Sequence, residues 1–216
     1  MKKHTNLTNI IRRTTREISK IRFSYLSQRN DAEIIEYQQM NETTDRSVRS
    51  ARRDLIYSAE IEINMSDLRI EFRCFYSSDT EKKIIQAQYG DIPLAENEVP
   101  TFLGEFCNLV GGSLKNILQD SFEGLRSDKN YLSIPKIISN INPDDFIASK
   151  TRNDSWFLKC EKYFILCQIV IQFKKDKNIS IIDRKIKNKE AEIVFSDNGG
   201  EIIYSFESLN NKTNKT

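Results

Sequence analysis

The sequence predicts an α+β domain in which helices cover one face of an antiparallel sheet. Three observations carry that expectation. Segments with the two-residue period of half-buried strands come in adjacent pairs, joined by turn residues too short for a crossover. Two helical segments stand between the pairs, where a parallel doubly wound sheet would need strict alternation of strand and helix. The last pair flanks Asp197-Asn-Gly-Gly200, a strong hairpin signal.

Taken in chain order, Leu7, Ile10, Ile11, Ile18 and Ile21 recur at helical spacing and predict a packed helix with a solvated basic face. Residues 41–53 are poor in apolar side chains and read as a linker, so the expected organisation is an N-terminal extension (1–50), a main domain (51–208) and a polar tail (209–216). Leu55, Tyr57, Ala59, Ile61 and Ile63 alternate with Ser58, Glu60 and Glu62, and Leu68, Ile70, Phe72 and Cys74 alternate with Arg69, Glu71 and Arg73. With Asn64-Met-Ser-Asp67 between them, these form a hairpin whose acids face bases across the strands. Ser78-Asp-Thr-Glu81 has capping-box spacing and opens a short helix that stops at Gly90. Asn97 can cap a second helix, with Pro100 in its first turn, running to about Phe122. Leu132–Ser139, interrupted at Pro135, predicts a strand that is bulged or at an edge, and Trp156–Phe173 predicts one long strand or two.

Composition narrows the chemistry. The chain has 216 residues, 38% hydrophobic and 30% charged, with a net charge of +2, and no apolar run reaches the ~18 residues of a membrane span. The segment Met1-Lys-Lys-His-Thr-Asn leads into polar sequence without a signal peptide's apolar stretch, so a cytoplasmic location is expected. Cys74, Cys107, Cys160 and Cys167 are scattered within apolar patterns, which predicts reduced core thiols and no metal site. A single histidine, His4, argues against Ser-His-Asp, Cys-His and multi-histidine chemistry. No phosphate-cradling glycine motif is present, so any chemistry rests on carboxylates, amides and lysines. Residues 1–29 carry eight basic residues against one acid, Glu17. That surplus raises an adaptor contacting nucleic acid or an anionic surface as a further reading, ranked below the packed helix.

Three of seven glycines, Gly104, Gly111 and Gly112, fall inside the second helix. Each costs about 1 kcal/mol relative to alanine, so the placement needs a reason. At about 100° per residue, Phe102, Leu103, Phe106, Val110, Leu114 and Ile117 form one apolar face. Thr101, Glu105, Asn108, Gly112, Lys115 and Gln119 line up on the other side as a polar stripe. Gly111 fits close packing against the sheet or another helix. Gly112, one turn beyond Asn108, removes a side chain that would hold another molecule's backbone off the stripe.

The run Gly104-Glu-Phe-Cys-Asn-Leu-Val-Gly-Gly-Ser-Leu-Lys115 resembles the signature helix of the CheC/CheX family of chemotaxis phosphatases, the CheX-like branch in particular. That signature has Asp or Ser, then Glu, Asn, Gly and often Lys, at the spacing occupied here by Thr101, Glu105, Asn108, Gly112 and Lys115. The flanking order agrees over roughly 54–175: a strand ending at Ser78, a short helix to Gly90, the signature helix, and a strand around Leu132-Ser-Ile-Pro135. The resemblance implies removal of the phosphoryl group from the aspartate of a CheY-type receiver, with Glu105 and Asn108 catalytic and Thr101, Gly112 and Lys115 docking. It further implies a homodimer, no cofactor on this chain, and Mg²⁺ held by the receiver. The competing expectation is a module of the same fold that binds a receiver or another signalling protein without hydrolysis.

Overall fold

Alternation along residues 57–76 builds the centre of the sheet. In the computed structural model, which describes residues 5–28, 32–36, 55, 57–90, 102–141, 153–160, 163–174, 179, 182, 191–198 and 201–208, β2 (Tyr57–Asn64) and β3 (Leu68–Tyr76) pair antiparallel. Met65 N–H donates to the Leu68 carbonyl at 2.9 Å to close the turn. Ile61, Ile63, Leu68, Ile70, Phe72 and Cys74 point into the main core. On the opposite face Glu60 lies directly across from Arg73, and Arg69 reaches Glu62 at 2.5 Å and Glu71 at 3.0 Å. The expected acid–base facing is observed at Glu60 and Arg73, whereas Glu62 stands opposite Glu71 and the two acids share Arg69. These half-exposed pairs act mainly on register, since solvated ion pairs stabilise by under about 1 kcal/mol each.

The sheet is antiparallel throughout, in the order β1-β6-β7-β3-β2, with β4 and β5 both paired to β2. The long aromatic and β-branched stretch resolves into two strands, β6 (Asn153–Cys160) and β7 (Tyr163–Phe173). The proline-interrupted segment is two short edge strands, β4 (Tyr131–Leu132) and β5 (Lys136–Ser139), with Pro135 in the break. β1 (Glu33–Glu36), which carries no strand period, is placed by pairing with β6. β8 (Ala191–Asn198) and β9 (Glu201–Ser208) pair antiparallel as a separate two-stranded sheet, with Asn198 opposite Glu201; Gly199 and Gly200 lie outside the described residues.

Three long helices pack with the sheet, α1 (Thr5–Ser27), α2 (Ser78–Tyr89) and α3 (Phe102–Ser121), and a 3-10 turn, Glu123–Leu125, follows α3. The cap of α2 differs by one residue from expectation: Ser77, not Ser78, is the N-cap, its hydroxyl accepting from Thr80 N–H at 3.1 Å. Two adjacent serines offer the same capping chemistry, and the extended backbone of Ser77 (φ −98°, ψ 153°) selects it. Gly90 ends the helix at φ 74°, a conformation that favours glycine. Asn97, Pro100, Thr101 and the linker at 41–53 lie outside the described residues.

α1 lies in the segment set apart as an extension, yet Leu7, Ile11, Ile18 and Phe23 belong to the same core as α3 and the sheet. An aromatic series crosses that core: Phe23 meets Phe106 edge-on at 6.0 Å, Phe106 meets Phe72 at 5.9 Å, and Phe72 meets Trp156 at 6.2 Å. Rings of this size bury roughly 150–250 Å² each, so the series fixes α1 and α3 against the sheet. Its basic face is also only partly solvated. Arg16 forms a bidentate pair with Asp154 at 2.9 and 2.8 Å and stacks on Trp156, whose indole N–H donates to Ser19 Oγ at 3.1 Å.

Candidate functional site

α3 has two faces set by its sequence. All six predicted apolar-face residues, Phe102, Leu103, Phe106, Val110, Leu114 and Ile117, are buried, and so are Gly104, Cys107, Gly111 and Leu118. Burying side chains of this kind stabilises by about 1.5–3 kcal/mol each, enough to outweigh the helix cost of the glycines. The approach to the sheet explains Gly111: a Cβ there would stand 2.9 Å from Leu132 Cδ1 and 3.1 Å from Ile61 Cγ2. Beneath the same turn, Cys107 Sγ lies 3.4 Å from Cys74 Sγ and 3.3 Å from the Ala59 carbonyl. Sideways, Arg22 of α1 donates to Ser113 Oγ at 2.9 Å, tying the two helices together.

The outer face carries the polar stripe. Glu105 is exposed, and Asn108, Gly112, Lys115 and Gln119 are half-buried. Asn108 Nδ2 stands 3.4 Å from Glu105 Oε2, a contact longer than an ordinary N–H···O bond, so neither group is committed to the other. One turn on, Gly112 leaves the stripe open: a Cβ there would meet only Leu132 Cδ2, at 4.0 Å. The structure thus brings Glu105, Asn108, Gly112 and Lys115 together on one helix face. Thr101 lies outside the described residues.

The available chemistry is that of a carboxylate acceptor and a carboxamide on a rigid support. A thiol nucleophile does not fit. Cys107 follows the helix inward, and burial, reinforced by Cys74, pushes its thiol well above its ordinary range, so it stays protonated at neutral pH. All four cysteines are buried thiols outside any disulfide, as the apolar patterns predict. Burial also pushes the Glu81 carboxyl up to about 7, but this group belongs to the first turn of α2 rather than to the stripe. What sequence reasoning did not supply is the support for the stripe: Leu132, Ile61 and the Arg22–Ser113 bond come from strands and a helix remote in sequence.

No protein-family model and no curated protein matches the sequence. Solved structures do. A chemotactic CheC-like protein from Shewanella oneidensis MR-1 superposes with a TM-score of 0.50 at 14% identity, over 79% of this chain and 100% of that one. The chain has the CheC-like fold. A CheC-like superfamily protein from Shewanella sp. PV-4 matches 80% of this chain and 99% of its own at 13% identity and a TM-score of 0.47. A structure of the CheX–CheY–BeF3–Mg²⁺ complex from Borrelia burgdorferi matches 64% of this chain and 99% of its own, at 13% identity and a TM-score of 0.42. Within this CheC-like fold, no helix among the described residues is long and apolar enough to cross a membrane.

Proposed function

We propose that this chain is a phospho-aspartyl phosphatase acting on a CheY-type receiver, with Glu105 and Asn108 as its working pair. The observation that carries the reading is the pair itself: a carboxylate and a carboxamide one turn apart, outward-facing and uncommitted, on a helix whose other face is locked into the core. The CheC-like fold and the signature spacing support it.

The chemistry asks for little more. An aspartyl phosphate is already reactive, so acceleration needs a water held in line with the breaking P–O bond and groups that complement the developing charge. The Asn108 amide can donate to and accept from that water. Glu105 can pair with a cationic receiver side chain, which fixes the docked register. Gly112 admits the receiver backbone against the stripe, and Lys115 and Thr101 extend the contact. No nucleophile, histidine or cofactor of this chain takes part, and the acting species is a homodimer.

The test is the decay of phosphorylated receivers from the same organism, with and without this protein. Faster decay that disappears in Glu105→Ala/Asn108→Ala is the expected result. Binding without acceleration would sink the phosphatase and leave a receiver-docking module; sedimentation as a monomer at working concentration would remove the dimer.

A further inference from the structure

Away from the stripe, α1 and β1 enclose a cavity of about 440 Å³ that opens to solvent, lined by Asn9, Arg12, Arg13, Arg16, Glu17 and Ile34. The five α1 residues share one helix face, since 9, 12, 13, 16 and 17 are steps of three and four. Ile34 supplies an apolar wall from the neighbouring strand. The volume falls in the range of small-molecule sites, roughly 300–1,000 Å³, and is far above the ~30 Å³ of a water.

Two arginines shape the wall of this cavity. Arg16 does not wave in solvent: its bidentate pair with Asp154 and its stacking on Trp156 fix the guanidinium at the cavity wall. Arg12 is the reverse case. Its Nε is shielded from solvent, and no described group accepts from it. The Nε atoms of Arg22, Arg69 and Arg73 are shielded in the same way, so the shielding marks a half-buried guanidinium stem, and a ligand would meet the terminal nitrogens of Arg12. Charge agrees with an anion, because the lining residues include three guanidiniums and one carboxylate, Glu17, and Arg16 is already paired with Asp154. Guanidinium forks match the oxygens of a phosphate group in pairs.

We infer that the cavity between α1 and β1 binds a phosphate-bearing small molecule of nucleotide size, its phosphate seated on Arg12 and flanked by Arg13 and Arg16. Asn9 adds a neutral donor and acceptor, and Ile34 an apolar surface for the organic part. The site is independent of Glu105 and Asn108.

Equilibrium dialysis of the full chain with labelled pyrophosphate and labelled ADP, at constant ionic strength, tests the assignment. Saturable binding is expected, and Arg12→Gln should weaken it by about tenfold or more, whereas Lys82→Gln, on α2, should leave it unchanged. Trp156, the single tryptophan of the chain, lies under Arg16 and should change its fluorescence in step with occupancy. Arg12→Lys keeps the charge without the fork and should bind with intermediate affinity, and circular dichroism of both variants separates site loss from misfolding. Co-sedimentation with phosphatidylglycerol vesicles distinguishes a lipid headgroup from a free anion: Arg12-dependent binding to vesicles alone assigns the same phosphate chemistry to a membrane source. No saturable binding of any of these probes, or equal affinity in folded Arg12→Gln, overturns the inference.

Discussion

Gly111 and Gly112 are adjacent in the chain and opposite in physical role. At Gly111 an added Cβ would press to 2.9 Å from Leu132 and 3.1 Å from Ile61, so glycine lets α3 sit down on the sheet. At Gly112 the nearest atom would be 4.0 Å away, ordinary contact distance, so the fold has no need of glycine there. One residue is explained by what is already packed against it. The other has no packing reason within the described fold, and the proposed receiver docking would supply one. The same division separates the inward Cys107, held against Cys74 and Ala59, from its neighbour Asn108 on the outer face.

The comparison can be broken most forcefully at Asn108. Asn108→Ala should slow receiver dephosphorylation by about 100-fold or more while receiver affinity stays within about threefold, because the amide acts on the water rather than on docking. Next in size is Gly111→Leu, which forces a large side chain into the contact with Leu132 and Ile61 and should cost roughly 3 kcal/mol in urea unfolding. A smaller cost would mean that α3 is not seated on the sheet as described. Gly112→Leu should weaken receiver binding about tenfold, near 1.4 kcal/mol, with little loss of folding stability; unchanged affinity would show that the stripe is not the interface. The smallest effect belongs to Gly112→Ala, which should raise stability by roughly 0.5–1 kcal/mol through helix propensity alone. A destabilised Gly112→Ala would place Gly112 on the structural side of the comparison.

Much of this was legible in the sequence because it depends on period and local chemistry. The β2–β3 hairpin follows from strict alternation, the two faces of α3 from the helical angle, and the β8–β9 pairing from the hairpin signal Asp197-Asn-Gly-Gly200. The candidate pair Glu105 and Asn108 was legible for the same reason, since spacing along one helix fixes their shared face. Features made by distant segments were not. β1 is four residues, Glu-Ile-Ile-Glu, whose strand state comes from its partner β6, more than a hundred positions away. The basic face of α1 read as solvated because nothing local announces that Arg16 meets Asp154 and Trp156. Thr101 belongs to the signature by spacing and lies outside the described residues.

The most direct measurement is the first-order decay of a phosphorylated receiver held at saturating concentrations of the wild-type chain and of Asn108→Ala, with both affinities determined in parallel. Fast decay is expected in the wild-type complex and near-spontaneous decay in an Asn108→Ala complex of similar affinity, a loss confined to the chemical step. Equal decay in the two complexes, or no acceleration by the wild-type chain once the receiver is bound, would contradict it.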